Sequence, residues 1–404
     1  MKILFADGVD TTRVAKLERG GHTCRTDASL TADDLPTAIG DAEIVVVRST
    51  KVTSEAIEAA SDLAMIVRAG AGTDNIDKAA ASEAGIYVCN VPGRNAIAVA
   101  ELTIGLLLAI DRHIADGAAD LRAGVWDKAR YTSADGLAGK TMSIIGLGEI
   151  GLAVAERAKA FDMIVQAERR PGRSDAALNR IRATGIRLVD SRAELLASSD
   201  IVSIHVPRAA DTVGLVNEAF IAALPDGCVL LNTSRGDVVD EAALLDGLDR
   251  RNMRAGLDVF ADEPSSATGR FASTLAAHPS VVGSHHIGAS TTQAQESVAD
   301  GMLEVIEAYA RGTMINCVNL ATETSAAACL SIRHLDRVGV LAKVLNALSR
   351  NGHNVEQMQN QLFTGGGAAV ATINVDGLIS EATLHEIGNI DEVLAVSVTA
   401  DVRG

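Results

Sequence analysis

The stretch Met142-Ser143-Ile144-Ile145-Gly146-Leu147-Gly148-Glu149-Ile150-Gly151 decides the fold of this chain. It begins as a short apolar strand. Its glycines at 146, 148 and 151 then follow the spacing G-x-G-x-x-G and lead into a helical period over 152–161. Such a loop turns tightly and directs the free N–H groups of a helix N-terminus at a pyrophosphate. The spacing alone is weak evidence, but its place between a strand and a helix predicts a dinucleotide-binding Rossmann unit.

The strand predicted at 164–167 leads to the place where the adenosine ribose of a dinucleotide binds. It is followed by Glu168 and then by Arg169 and Arg170. A carboxylate here favours NAD because it accepts hydrogen bonds from the ribose hydroxyls, whereas guanidinium groups favour the 2′-phosphate of NADP. We expect Glu168 and Arg169 to contact the cofactor. NAD and NADP both remain open, as does an ordinary solvated position for the two arginines.

Outward from the glycine loop, short aliphatic runs alternate with helical periods, a pattern typical of βαβ units and parallel sheets. Strands are predicted on both sides of the loop, at 2–6, 44–48, 64–68, 86–89, 141–145, 164–167, 201–205, 228–232, 255–259 and 281–284. A small, polar linker is predicted at 321–328. The strand and helix patterns beyond it follow the order βαββαβ, which is the ferredoxin-like arrangement. We therefore expect a large α/β body and a small C-terminal module.

Three polar residues stand just past predicted strands of the body: Arg235, Glu263 and His286. Ligands of open α/β sheets bind beyond the carboxyl ends of the strands. An arginine there can hold a substrate carboxylate in a bidentate fork, and a histidine can exchange a proton with a hydroxyl or carbonyl oxygen. A glutamate can orient that imidazole. Together the three residues predict proton and hydride chemistry beside a nicotinamide, although each one alone is equally typical of a cap or loop.

Composition limits the classes of function. A length of 404 residues predicts two or three domains, and the net charge of −16 argues against nucleic acid or an anionic membrane as a partner. The longest apolar stretch, Leu102–Ile110, is too short to span a bilayer. The five cysteines have no CxxC spacing, so we predict neither a disulfide framework nor a metal site. Residues 1–7 contain no secretory hydrophobic region, which predicts a cytoplasmic protein.

The order and context of these motifs resemble the D-isomer-specific 2-hydroxyacid dehydrogenases from about residue 2 to residue 402. The resemblance rests on the motifs at 68–77, 139–141, 146–151, 205–207, 232–236, 258–260, 263–264 and 286–288. It implies a flavodoxin-like substrate domain formed by residues 1–95 and 289–318. A Rossmann-type cofactor domain at 96–288 would be inserted into it. Residues 327–404 resemble an ACT domain with the ferredoxin-like fold.

The resemblance also implies roles for individual residues. Arg235, Glu263 and His286 correspond to the catalytic trio; His285 takes the place of the proline that normally precedes the family's histidine. The family's ribose-binding aspartate aligns with Arg169, so the resemblance does not settle the choice between NAD and NADP. The cofactor contacts implied are Gly146, Gly148, Glu149, Ile150, Gly151, Glu168, Arg169, Thr233, Ser234, Arg235, Asp258 and His286. The substrate contacts implied are Arg48, which matches a phosphate-side arginine, with Gly70, Ala71 and Gly72. Lys51 and Arg68 are weaker candidates for binding the phosphate.

The ACT-like module implies regulation by a small amino acid at a dimer interface. His334, Asp336 and Asn354 match positions that contact serine in feedback-inhibited relatives. Asp336 replaces the expected asparagine and Val338 the usual proline, so an L-serine effector and a purely structural dimerisation module both remain open. The expected assembly is a homodimer or homotetramer.

Within the family, the chain most resembles members that oxidise 3-phospho-D-glycerate with NAD or NADP in the first step of L-serine biosynthesis. By that resemblance His286 removes the hydroxyl proton, Glu263 orients His286, and Arg235 fixes the substrate. One alternative is an NADPH-dependent glyoxylate or hydroxypyruvate reductase, which Arg169 and Arg170 favour. An alternative of another class is a dinucleotide-sensing regulator without turnover.

Overall fold

The computed structural model describes residues 1–264, 268–321 and 326–400. The chain folds as two units, Met1–Asn319 and Leu320–Gly404. Residues 322–325 of the predicted linker and the last four residues of the predicted ACT domain lie outside the described residues.

The first unit begins with a five-stranded parallel sheet in the strand order β2-β1-β3-β4-β5. This is the flavodoxin-like order. The inner strands of this sheet are aliphatic on both faces because helices cover the sheet on both sides. The elements are β1 (Lys2–Phe5), α1 (Thr11–Arg19), β2 (Thr23–Thr26), α2 (Leu35–Ala38), β3 (Ile44–Val47), α3 (Ser54–Glu58), β4 (Met65–Arg68), α4 (Lys78–Glu83) and β5 (Tyr87–Cys89).

A second, seven-stranded parallel sheet follows in the order β12-β11-β10-β9-β6-β7-β8. The first strand of this sheet, β6, is central, and β7 and β8 extend the sheet to one edge. The chain then crosses back, and β9 to β12 extend the sheet to the other edge, which is the Rossmann topology. The elements are α5 (Ala96–Asp111), α6 (Ile114–Arg122), β6 (Thr141–Ile145), α7 (Glu149–Ala160), β7 (Ile164–Glu168), α8 (Asp175–Thr184), β8 (Arg187–Val189), α9 (Arg192–Ala197), β9 (Ile201–Ile204), α10 (Glu218–Ala222), β10 (Val229–Asn232), α11 (Glu241–Arg250), β11 (Arg254–Leu257) and β12 (Val281–Gly283).

The chain then returns to the first sheet through helix α12 (Thr292–Ala310), capped by the Thr291 side chain. Buried residues of α12, among them Met302 and Ile306, share one apolar cluster with Ile3 and Phe5 of β1. The last segment of this unit therefore packs on its first strands, as a split substrate domain requires. The bounds 1–95, 289–318 and 96–288 stay predictions.

The second unit contains a four-stranded antiparallel sheet in the order β14-β15-β13-β16. Its elements are β13 (Ala328–Leu335), α13 (Val340–Arg350), β14 (Val355–Leu362), β15 (Ala368–Val375), α14 (Glu381–Gly388) and β16 (Val393–Ala400). This is the βαββαβ order, and the two helices bury one aliphatic cluster against the sheet. The predicted fold class, a Rossmann-type and a flavodoxin-like sheet with a ferredoxin-like module, is confirmed.

Candidate active site

The glycine loop joins β6 to α7, which begins directly at Glu149 with Gly148 as its cap. Gly146 has a φ of 101°, and a Cβ there would collide with the carbonyl oxygen of His205. A Cβ at Gly151 would collide with the carbonyl of Gly146. Gly148, in contrast, faces open space. Two glycines therefore shape the loop, and the third leaves a cradle beside the free N–H groups of α7 that fits a pyrophosphate.

Charges at the end of the next strand are paired with one another. Arg192 donates from Nε to the carboxylate of Glu168, the last residue of β7, at 2.8 Å. Arg169 donates to Asp190 at 2.9 Å, on the surface. Burial lowers the pKa of Arg173, whose Nη1 is buried and has no hydrogen-bond partner within the described part of the chain. This edge therefore presents the carboxylates of Glu168 and Asp190 among several guanidinium groups, which is compatible with either NAD or NADP.

The loop after β10 places Arg235. The side chain of Asn232 accepts a hydrogen bond from the Ser234 N–H at 3.0 Å and donates to the Arg235 carbonyl at 2.8 Å. The guanidinium donates from Nε to Asp74 at 2.9 Å and from Nη1 to the Ser234 carbonyl at 2.7 Å. Thr233 contacts Thr103 through a hydroxyl–hydroxyl bond of 2.9 Å. Arg235 is thus fixed by two of its nitrogens, while Nη2 has no partner among the described residues.

Glu263 and His286 form a hydrogen-bonded pair. The Nδ1 atom of His286 lies 2.7 Å from Oε2 of Glu263, whose Oε1 accepts the Phe260 N–H at 2.9 Å. Burial opposes ionisation of Glu263, but the hydrogen bonds from His286 and Phe260 outweigh it and hold the pKa of Glu263 below its ordinary value. His286 has a left-handed backbone with a φ of 52°. The neighbouring His285 is exposed and makes no such pair in the described part of the chain.

Asp258 holds the loop that carries His286. Its buried carboxylate accepts hydrogen bonds from the Ser284 hydroxyl at 2.6 Å, the Ile287 N–H at 2.9 Å and the Gly288 N–H at 2.8 Å. Its carbonyl accepts the His286 N–H at 2.7 Å. These four bonds stabilise the left-handed turn at His286. A contact of Asp258 with the nicotinamide amide stays a prediction.

Arg48 follows β3 on the facing edge of the first sheet. Its N–H and those of Ser49 and Thr50 all point at Oδ2 of Asp7, at 2.7, 3.2 and 3.2 Å. The guanidinium of Arg48 forms no hydrogen bond or ion pair within residues 1–264, 268–321 and 326–400. Asp7 therefore fixes the backbone of the loop and leaves the cationic side chain available for a ligand.

Arg68, at the end of β4, is the second cation of this edge. Burial, reinforced by the neighbouring charges of Arg235 and Arg48, lowers the pKa of Arg68 to about 10, so the guanidinium stays protonated at neutral pH. A Cβ at Gly70 would collide with Arg68, and a Cβ at Gly72 would collide with Nη2 of Arg235. The glycines at 70 and 72 thus make room for two guanidinium groups. The arrangement can bind an anion with more than one charged group.

The predicted effector residues lie in the second unit. His334 is buried and its Nε2 is 3.1 Å from Oδ1 of Asn360, whereas Asp336 and Asn354 are exposed. His334 lies near the C-terminal end of β13, where that strand pairs with the start of β15. Asn354 directly precedes the first residue of β14, Val355, which is level with the opposite end of β13 at Ala328. The two residues stand at opposite ends of the sheet. One copy of this unit therefore does not bring the three residues together.

Two classes of site are absent from the described residues. None of their helices is both long enough and apolar enough to cross a membrane. They also contain no group of three His, Cys, Asp or Glu side chains placed to hold a metal ion.

The family is shown by two kinds of similarity. Residues 104–288 match the family model described as "D-isomer specific 2-hydroxyacid dehydrogenase, NAD binding domain", and residues 330–395 match the "AHAS small subunit-like ACT domain". The hydroxypyruvate reductase of Thermotoga maritima is 41% identical over 283 residues, which cover 70% of this chain and 89% of that relative. The chain belongs to the D-isomer-specific 2-hydroxyacid dehydrogenase family.

Further relatives of this chain carry another name. A D-3-phosphoglycerate dehydrogenase of Methanocaldococcus jannaschii is 38% identical over 79% of the chain, and the chain spans 60% of that relative's length. The D-3-phosphoglycerate dehydrogenase of Rattus norvegicus is 31% identical over 95% of this chain and 70% of its own length. A solved acyclic imino acid reductase in complex with NADPH and D-Arg is 27% identical with a TM-score of 0.70, over 79% of this chain and 100% of that one.

Three residues of the candidate site were not predicted from the sequence: Asp7, Asp74 and Arg192. Asp74 stands in the recognised motif at 68–77, as Arg68 does, and the nearness of both to Arg235 depends on how the two sheets face each other. The position of Asp7 two residues past the end of β1 was a usable signal, since ligands of such sheets gather at strand ends. Arg192 carried no signal of its own, because it opens a helix across from β7.

Proposed function

We propose that the protein is a D-3-phosphoglycerate dehydrogenase that transfers hydride reversibly from 3-phospho-D-glycerate to NAD or NADP. The observation that carries the proposal is the convergence of Arg48, Arg68 and Arg235 at one edge of the site, with Asp7 and Asp74 among them as counter-charges. A substrate with a carboxylate at one end and a phosphate at the other matches this distribution of charge. The similarity to relatives of that name over most of the chain supports it.

Each cation has a proposed task. Arg235, held by Asp74 and Ser234, turns its Nη2 edge toward Gly72 and binds the substrate carboxylate there. Arg48 and Arg68 bind the phosphate. The N–H groups of the loop at 70–72 complete the substrate site.

The His286–Glu263 pair carries the proton. The ionised carboxylate of Glu263 accepts a hydrogen bond from the Nδ1–H of His286, which leaves Nε2 free to take the proton of the substrate hydroxyl. Because its pKa is lowered, Glu263 stays ionised and stabilises the imidazolium that forms. In the reverse direction Nε2 returns the proton to the carbonyl oxygen.

The residues that would hold the cofactor fit it. The open cradle at Gly148 and the first N–H groups of α7, at Glu149 and Ile150, would bind the pyrophosphate, with the ribose at Glu168 and Arg169. Thr233 and Ser234 would line the nicotinamide side. Bound NAD or NADP supplies the hydride acceptor.

Arg48→Ala tests the phosphate assignment. We expect the KM for 3-phosphooxypyruvate to rise about tenfold or more, because a charge-assisted contact is lost, with a much smaller change for the unphosphorylated hydroxypyruvate. Arg187→Ala removes an equally basic side chain from the exposed edge strand β8 and serves as the control. An unchanged KM for the phosphorylated substrate in Arg48→Ala would show that the phosphate binds elsewhere.

An NADPH-dependent glyoxylate or hydroxypyruvate reductase is the second candidate. It is favoured by the guanidinium-rich surroundings of Glu168 and by the hydroxypyruvate reductase similarity. It leaves Arg48 and Arg68 without a phosphate to bind. A dinucleotide-sensing regulator without turnover is disfavoured by the complete His286–Glu263 pair, and detection of hydride transfer with any 2-hydroxy acid excludes it.

A homo-oligomer and an amino-acid effector complete the proposal. Apolar side chains on and after α6 are exposed to solvent, namely Ile114, Leu121, Val125 and Trp126. They offer a surface for a second copy, so Leu121→Asp should shift the mass in sedimentation toward the monomer.

We propose that L-serine binds between two ACT domains, where His334 and Asp336 of one copy can meet Asn354 of another. Inhibition by serine that Asp336→Ala abolishes would support this, and indifference to serine would contradict it.

A further inference from the structure

Two cysteines of the first unit have no part in the proposed reaction. Cys89 is the last residue of β5 and is fully buried, while Cys317 lies in the segment after α12 and is partly exposed. The two residues face each other in an isolated antiparallel bridge. In this reduced form the Cys89 thiol contacts Sδ of Met314 at 3.4 Å, while the neighbouring Cys317 adds to the burial that raises the pKa of Cys89. The pairing joins β5, just before the chain leaves the first sheet, to the segment that ends the unit at Asn319.

The backbone hydrogen bonds around this pair define its geometry. The Val318 N–H donates to the Val88 carbonyl at 2.8 Å, and the Asn90 N–H donates to the Asn316 carbonyl at 3.1 Å. These bonds flank the cysteines on both sides and none joins the cysteines themselves. They therefore occupy a non-hydrogen-bonded position of an antiparallel pairing, where Cα atoms approach to about 4.5 Å and side chains are closest. A disulfide needs Cα atoms about 4.4–6.8 Å apart, so this pair can be bridged without backbone movement.

Neighbouring side chains hold the segment in this register. The Asn319 side chain accepts the Val88 N–H at 2.8 Å and donates to the Ile86 carbonyl at 2.9 Å. Its Oδ1 also lies 3.2 Å from Sγ of Cys317. The alignment of the two thiols is thus fixed by side-chain contacts as well as by the backbone.

We propose that Cys89 and Cys317 are an oxidation site that forms a reversible disulfide with a two-electron oxidant of the hydroperoxide class. The partly exposed thiol of Cys317 reacts first, because the oxidant can reach it: its sulfur attacks hydrogen peroxide, takes one oxygen to become a sulfenic acid and releases water. The sulfur of Cys89 then attacks the sulfenic sulfur and displaces hydroxide. The S–S bond forms, and the Cys89 proton leaves with the hydroxide as a second water. Burial raises the pKa of Cys89 to about 12, so Cys89 does not react with the oxidant itself.

The bridge would close the inserted cofactor-binding part of the chain into one covalent loop. Long loops lose the most unfolded-state entropy when they are closed, so the oxidised form gains stability. Asn90, the residue after Cys89, donates to the Ala71 carbonyl at 2.6 Å. The bridge therefore also restrains the loop that carries Gly70 and Gly72.

Peptide mapping of the full chain tests the proposal. The protein is treated with hydrogen peroxide, remaining thiols are alkylated, and the digest is analysed by mass spectrometry without and with reductant. We expect a Cys89–Cys317 peptide pair that reductant separates, and a melting temperature several degrees higher before reduction than after it. Cys317→Ser should abolish both effects. Cys24→Ser, which removes another partly buried thiol of the same unit, should abolish neither.

Two outcomes would overturn the proposal. In one, Cys89 and Cys317 are still alkylated as free thiols after the other partly exposed thiols, those of Cys24 and Cys329, have been oxidised. In the other, Cys317 is recovered in a disulfide with a different cysteine. Neither outcome depends on turnover, so the result is independent of the reaction proposed above.

Discussion

Among single residues, the proposed proton transfer depends most on the short hydrogen bond between His286 and Glu263. We expect Glu263→Gln to lower kcat about 100-fold, because the amide cannot stabilise an imidazolium as a carboxylate does. Glu241→Gln is the matched control: Glu241 also accepts an N–H of the same loop, from Ala261 at 2.8 Å, but touches no histidine. Equal losses in both variants would mean that Glu263 acts only on the loop.

The same carboxylate makes stability depend on pH. The pKa of Glu263 is lower in the folded than in the unfolded chain, so its ionised form stabilises the fold above the ordinary glutamate value of about 4.3. This contribution is lost as the pH falls through the lowered folded-state pKa. The melting temperature of the protein should therefore exceed that of Glu263→Gln at neutral pH, and the difference should shrink below about pH 4.3. A difference that grows on acidification would contradict the pairing.

Asp74 is a positioning residue that acts through Arg235. Its contact at Nε leaves the Nη2 edge as the free face of the guanidinium. We expect Asp74→Ala to raise the KM for the 2-oxo acid about tenfold with a smaller effect on kcat. The KM of Asp74→Asn should lie between that of Asp74→Ala and that of the unsubstituted protein. Steady-state kinetics separate the two constants, and a loss confined to kcat would argue against this role.

At the scale of elements, the glycine loop separates structural from binding glycines. Gly146→Ala forces a side chain into a φ of 101° against His205 and should cost about 1–3 kcal/mol of stability. Gly148→Ala has room, with a φ of −82°, so its melting temperature should stay near that of the unsubstituted protein while the KM for the cofactor rises. Thermal unfolding and cofactor titration distinguish them. A stable Gly148→Ala with unchanged cofactor binding would place the pyrophosphate elsewhere.

Most strands could be predicted from the sequence, whereas the two edge strands β2 and β8 could not. Strands β9 and β10 are fully buried, and their aliphatic runs are unambiguous. Strand β2, Thr23-Cys24-Arg25-Thr26, is mostly exposed, so its polar residues carry no strand pattern. Strand β8 has three residues, which are too few to form a pattern. Pairing with a neighbour, not local pattern, makes these segments strands.

Residues of the candidate site could be predicted where their position just past a strand of the same segment indicated a role. Arg235, Glu263 and His286 all follow strands, and position alone suggested them. The partners that orient two of them, Asp74 and Asp258, act across long distances along the chain. Which side chain pairs with Glu168 likewise depends on the packing of α9 beside β7. These are tertiary contacts that no local pattern encodes.

At the scale of the whole molecule, the net charge of −16 contrasts with the cationic site. The acidic balance says nothing about the substrate, because the cations proposed to bind it are few and concentrated. Arg48 and Arg68 come from the first sheet and Arg235 from the second, so in the proposed site both sheets face one ligand. We propose that this ligand carries a carboxylate and a phosphate.

The most direct measurement compares kcat/KM for 3-phosphooxypyruvate, hydroxypyruvate, glyoxylate and 2-oxoglutarate, each with NADH and with NADPH. The account predicts that 3-phosphooxypyruvate is preferred by at least about tenfold, and that Arg48→Ala removes the preference. If glyoxylate or hydroxypyruvate is reduced as efficiently as the phosphorylated substrate, and Arg48→Ala leaves the order unchanged, the central claim is wrong.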